Sequence, residues 1–94
     1  MVEPKELVVS DSNVAVIAKA LASETRWQIL KLLSSQKLDV SQIAEKLNQT
    51  EANISAQVKI LEKAHLITSN YEPGAHGVKK VCAPAVKKLI IKIT

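Results

Sequence analysis

Two short helical patterns set one behind the other, with almost nothing between them, constrain this chain more than any other feature. Residues 40–67 read VSQIAEKLNQTEANISAQVKILEKAHLI. Ile43, Ala44 and Leu47 recur at helical spacing, and Ile54, Val58 and Leu61 recur at i, i+4 and i+7. Asn48, Gln49 and Thr50 separate the two runs. Asn48 follows Leu47 where a helix commonly ends in a left-handed residue, a conformation Asn tolerates better than most non-glycine residues. The Thr50 hydroxyl has the chemistry to cap the helix that follows. Ala44 is small enough to let a second helix cross close by. Helix, tight turn and capped helix together make a helix-turn-helix plan.

The residues around this stretch carry a resemblance. Ala20-Leu21-Ala22-Ser23-Glu24-Thr25-Arg26, followed by Ile29-Leu30-Lys31-Leu32-Leu33, resembles the entry segment of winged helix-turn-helix regulators of the ArsR-like group. Residues 50–61 resemble that group's recognition helix, and Leu61-Glu62-Lys63-Ala64-His65-Leu66-Ile67 resembles its exit into the wing. The motifs together cover roughly residues 18–82 in the family's order. The resemblance implies an α+β, mainly α fold: three to four helices, a β-hairpin wing and a C-terminal segment. It implies a sequence-specific regulator that binds double-stranded DNA as a homodimer, works in the cytoplasm on the nucleoid, and has no enzymatic activity. Many members carry Gln at the position of Glu51 and His or Arg at the position of Ala56. With both replaced, shape and phosphate contacts are expected to carry more of the binding.

Composition narrows the alternatives. Ninety-four residues form one small domain in this reading, and a second subunit would extend its modest core. Trp27 and Tyr71 are the only aromatic residues, so the core must be aliphatic. No apolar run approaches the ~18 residues of a membrane span, and no secretory pattern opens the chain. The single cysteine, Cys82, is incompatible with an internal disulfide and is read as a small buried hydrophobe, with a thiol switch between subunits as the alternative. Charge is uneven: residues 1–50 hold six basic and six acidic side chains, whereas residues 51–94 hold seven lysines and three glutamates. The whole excess of +4 therefore lies from the start of the second helical run onward, which favours a polyanionic partner over a merely solvated surface.

Taken in order, Leu7-Val8-Val9 reads as a short edge strand or packed tail. Asp11 or Ser12 caps a helix over residues 13–22 with Val14, Ile17, Ala18 and Leu21 on its buried stripe. Ser23 caps the next helix, on which Trp27 packs in a core or interface rather than stacking on a base. Arg26 reaches either a phosphate or a carboxylate. Asp39 and Ser41 compete to cap the first helix of the central motif, and the amide end of that helix, at Ser41, faces a phosphate.

The recognition helix spans residues 50–64, with Thr50 as its cap. Its outward side carries Ala52, Ser55, Ala56, Lys59 and Lys63, flanked by Glu51 and Asn53. Ala touches a thymine methyl, Ser55 meets a base edge, Asn53 suits adenine, and Glu51 accepts from a cytosine amine; Lys59 and Lys63 suit phosphates. Residues 66–71 have strand character, Pro73-Gly74-Ala75-His76-Gly77 make a turn, and residues 78–82 return. In this wing, over residues 71–81, Lys79 and Lys80 clamp the backbone, and His76 is a minor-groove probe or a plain loop residue. The tail from Pro84 fits a helix through Val86, Leu89, Ile90 and Ile93, or a strand; its β-branched run favours the strand, paired with the wing or with Leu7-Val8-Val9.

No catalytic constellation is present, and Cys82, His65 and His76 have no metal-ligand spacing, so neither a cofactor nor a metal is expected. Two other readings stay open: a winged-helix module that binds protein, and an architectural protein that coats DNA with little sequence preference.

Overall fold

A computed structural model describes residues 5–94. The order is β1 (Lys5–Val9), α1 (Ser12–Leu21), α2 (Glu24–Leu33), β2 (Leu38–Asp39), α3 (Val40–Leu47), α4 (Glu51–Lys63), β3 (Ile67–Gly74), β4 (Gly77–Pro84) and β5 (Val86–Ile91). This is the helix-rich α+β winged helix-turn-helix plan.

Helix boundaries follow local chemistry. The Ser23 hydroxyl accepts from the Arg26 amide and opens α2. Asp39, not Ser41, caps α3: its carboxylate accepts from the Gln42 amide at 2.8 Å while the Gln42 side chain accepts from the Asp39 amide at 2.9 Å. This reciprocal box satisfies two donors that the first turn would otherwise leave unpaired. Asn48 ends α3 in the left-handed region at φ 54°, with the Gln49 amide donating back to the Ala44 carbonyl at 2.9 Å. Thr50 caps α4 as expected, accepting from the Asn53 amide at 3.1 Å. The end of α4 repeats the device: His65 lies at φ 61° and the Leu66 amide donates to the Leu61 carbonyl at 3.1 Å. Both helices of the central motif thus close in six-to-one turns around non-glycine left-handed residues. The start of α1 differs from expectation. Asp11 stands at its N-cap with φ 55° and makes no side-chain cap.

The core is aliphatic. Ile29 and Leu33 of α2, Ile43 of α3, and Ile54, Val58 and Leu61 of α4 are fully buried. Cys82 of β4 joins them. On α1 the buried pair is Ile17 and Ala20, with Val14 and Leu21 at the margin; Ala18, expected on this stripe, is exposed. The helix is therefore rotated away from the expected stripe, and Val16, 52 % exposed, lies on the outside.

Two sheets frame the helices. β3 and β4 form the wing, and β2 adds to β4 through Leu38–Cys82 and Asp39–Val81, giving the order β2-β4-β3. This short pairing ties the wing to the entry of α3. The wing loop is only Ala75-His76, because Gly74 and Gly77 already pair as strand residues. Gly77 has φ 111°, a conformation costly for any side chain. The tail is a strand: β5 lies parallel to β1, with Leu7, Val8 and Val9 opposite Leu89, Ile90 and Ile91. Both partners are strand-forming runs, and joining them closes the two ends of the described chain on one another.

The one-sidedness of α4 yields a stability test. Leu61→Ala should lower the unfolding free energy by ~2–5 kcal/mol, while Lys59→Ala, from the opposite side, should stay within ~0.5 kcal/mol in urea titrations.

Candidate nucleic-acid interface

Helix α4 is built to be seated on one side and bare on the other. Its 13 residues make a rod about 20 Å long. Ile54, Val58 and Leu61 bury one stripe, while Ala52, Ala56, Lys59 and Lys63 are exposed and Ser55 is half-buried. An exposed surface of alanines lets the backbone come close to a partner, and the two lysines follow along the same helix.

A closed ring of side-chain hydrogen bonds sets the rotation of this rod. From α2, Thr25 Oγ1 accepts from Gln49 Nε2 at 3.0 Å. Gln49 Oε1 accepts from Asn53 Nδ2, and Asn53 Oδ1 accepts from Gln57 Nε2 at 3.1 Å. Arg26 Nη1, again on α2, donates to Gln57 Oε1 at 2.6 Å. Its remaining nitrogens hold backbone carbonyls at the end of α1, Nε to Ala20 at 2.7 Å and Nη2 to Lys19 at 2.9 Å. Arg26 is thus a tether between three helices, neither a phosphate contact nor a carboxylate partner. Asn53, expected to face adenine, has its donor and acceptor engaged along the helix flank. Sequence reasoning missed the roles of Gln49 and Gln57. Their signal was present: residues 49, 53 and 57 all carry amides at i, i+4 and i+8, one stripe of a helix.

The other expected contacts fall into two groups. Ser41 Oγ donates to Glu51 Oε1 at 2.8 Å, joining the starts of α3 and α4. The Thr50 hydroxyl is occupied as the α4 cap. Lys80, expected to clamp the backbone, instead meets Glu62 of α4 at 2.6 Å with its side chain only 14 % exposed. Burial disfavours the Lys80 charge, but the hydrogen bond and field of the Glu62 carboxylate outweigh it and raise the ammonium pKa above 10.5. Lys79 stays half-exposed, 4.0 Å from Asp39, and His76 is exposed at the wing tip. Between the starts of α3 and α4 and the wing lies a groove of about 370 Å³ that includes Ser41, Glu51, His76 and Lys79. Lys59, Lys63 and Lys79 therefore remain the exposed cationic groups of the expected set, with Ala52, Ala56 and His76 also exposed.

Two residues singled out by their rarity lie elsewhere. Trp27 is 53 % exposed, so it is not a core residue of this chain. Cys82 is fully buried, its thiol pKa raised by burial, and the Ser69 hydroxyl lies 3.6 Å from its sulfur. Among the described residues no three His, Cys, Asp or Glu side chains converge as a metal site would require, and no helix is long and apolar enough to cross a membrane.

A bare recognition helix held beside a three-stranded wing defines a winged helix-turn-helix protein. Residues 23–69 match the model of the arsR family of bacterial regulatory proteins, and the chain belongs to that family. Solved structures agree. Reduced HlyU from Vibrio cholerae superposes with a TM-score of 0.70 at 22 % identity, covering 81 % of this chain and 76 % of that one. A possible transcriptional regulatory protein from Mycobacterium bovis (fragment 1–100) gives 0.69 at 29 % identity, over 78 % of this chain and 74 % of that one. The solution structure of the M. bovis fragment is described as a homodimeric winged helix-turn-helix DNA-binding domain; it gives 0.68 at 29 % identity, over 78 % of this chain and 64 % of that one. No curated protein sequence matches the chain.

The Lys80–Glu62 pair carries a pH signature. A raised lysine pKa in the folded state adds stability that is complete below the ordinary lysine value of 10.5 and disappears as pH rises through the folded value. Replacing Lys80 with Met should therefore make the decline in melting temperature above pH 10 shallower than in the parent protein.

Proposed function

We propose that this chain is a sequence-specific, double-stranded DNA-binding transcriptional regulator that acts as a homodimer. The observation that carries the reading is the exposed alanine and lysine side of α4, opposite its buried stripe. In this reading α4 enters the major groove, Ala52 and Ala56 bring its backbone against base edges, and Ser55 reaches a base from the margin. Lys59 and Lys63 meet phosphates beside the groove. The α3 amide end at Ser41 and the wing, through Lys79 and His76, meet the flanking backbone or minor groove. Thr50, Glu51, Asn53 and Lys80 act by position: they cap, tie and tilt the helix that reads. The protein works in the cytoplasm on the nucleoid, as one domain, by binding rather than catalysis, and without a metal or other cofactor.

Homodimerisation draws support from the homodimeric M. bovis fragment and from exposed apolar groups on β1, α1 and β5. Val8, Val16 and Ile91 are 50 %, 52 % and 44 % exposed. Two recognition helices related by a two-fold axis read half-sites about one helical turn apart. A second reading, an architectural protein with little sequence preference, is favoured by one observation: Asn53 and Glu51, the polar groups best suited to bases, are engaged within the protein.

Titrations on random and on selected duplexes at several salt concentrations test both. The regulator should show a preferred sequence together with a steep salt slope; the architectural reading keeps the slope and loses the preference. The triple variant Lys59→Ala, Lys63→Ala, Lys79→Ala should weaken binding to every duplex and reduce the salt slope by about 0.9 for each phosphate no longer neutralised. An unchanged slope would remove these lysines from the interface.

A further inference from the structure

Away from the reading helix, a cavity of about 510 Å³ opens between α2 and the chain's last strand. Its walls are apolar: Leu21, Trp27 and Leu30 on one side, Leu66, Val86 and Leu89 on the other. Ser34, Pro84 and three lysines, Lys31, Lys87 and Lys88, complete the lining; the lysines are exposed, and among the described residues none forms an ion pair. Among those residues no acidic side chain lines the cavity. An apolar hollow of this size with a few convergent polar groups has the character of a small-molecule site.

We propose that this cavity binds a small amphipathic carboxylate, with its hydrocarbon body against Trp27 and the aliphatic walls and its anionic head among Lys31, Lys87 and Lys88. Charge selects this occupant over a second copy of the chain. A two-fold interface centred here sets each patch against itself. Three lysines would then face three more with no lining carboxylate between them, a repulsive arrangement. The same three lysines suit a single anion, and their long stems add apolar contact around its body. A neutral hydrocarbon would fill the walls but leave the cationic rim unused. Trp27 makes sense in this setting. It is a large, half-exposed aromatic group on a helix facing a hollow, where it supplies stacking area to a bound molecule.

Trp27 is the chain's single tryptophan, so its fluorescence reports the site directly and without DNA. Octanoate, octanol and octylamine, equal in chain length, should be titrated against the intact protein below their aggregation limits. Octanoate should give a saturable change and bind about five-fold more tightly than octanol, with octylamine the weakest. The variant Lys31→Gln, Lys87→Gln, Lys88→Gln alters only exposed side chains outside the reading face. It should keep the parent's far-ultraviolet circular dichroism and lose the preference for octanoate. Octanoate binding no tighter than octanol, or a preference that survives the triple variant, overturns the assignment. So does acrylamide quenching of ligand-free Trp27 that falls as protein concentration rises, which would show a second copy covering the cavity.

Discussion

Everything in this protein turns on the packing of Ile54, Val58 and Leu61 beneath a helix whose other side stays open, Ile60 included at 38 % exposure. Three aliphatic side chains at i, i+4 and i+7 supply the hydrophobic free energy that seats α4 on α2 and α3. Because that stripe is narrow, alanines and lysines can occupy the remaining arc at no cost to the fold. The same residues that keep the domain folded therefore leave a bare, cationic rod on its surface. Seating and exposure are two consequences of one sequence period.

The buried stripe decides which side of α4 faces the core, but aliphatic contacts tolerate small rotations and tilts. The hydrogen-bonded ring from Thr25 through Gln49, Asn53 and Gln57 to Arg26 adds a directional restraint on that orientation. It is anchored on adjacent residues of α2 at two points, Gln49 to Thr25 and Gln57 to Arg26, so a rotation of α4 would strain both together. The Lys80–Glu62 contact performs the matching task at the other end, fastening the wing to the helix. Polar groups that looked like contacts for a partner are thus used to hold the reading element still. In the proposed reading that leaves a sparse surface of small residues and exposed lysines, expected to lean on shape and backbone contacts more than on base-edge hydrogen bonds.

Much of this was legible in the sequence, for physical reasons. Caps and stripes are local: Thr50, Ser23 and Asn48 act on their own turns, and the β-branched run only tilted the tail from helix toward strand. Its pairing with β1 was one of two arrangements the residues allowed, and only the three-dimensional closure of the ends decides between them. The start of α1 was less legible because Asp11 stands at positive φ and its side chain makes no cap. The Asn53 contacts were local and went unread, whereas the roles of Arg26 and Lys80 were hidden for a different reason. Whether a long polar side chain faces solvent or a neighbour depends on residues up to 31 positions away, as with Arg26 and Gln57. The exposure of Trp27 is similarly a tertiary fact.

The most direct measurement is an amide chemical-shift map of the protein as duplex DNA is added. The largest changes should fall on Ala52, Ala56 and Lys59 of α4 and on Lys79 of the wing, with Ile54 and Val58 shifting little because their packing persists. Changes confined to α1, β1 and β5, with the exposed side of α4 unmoved, would contradict a reading helix seated by its aliphatic stripe.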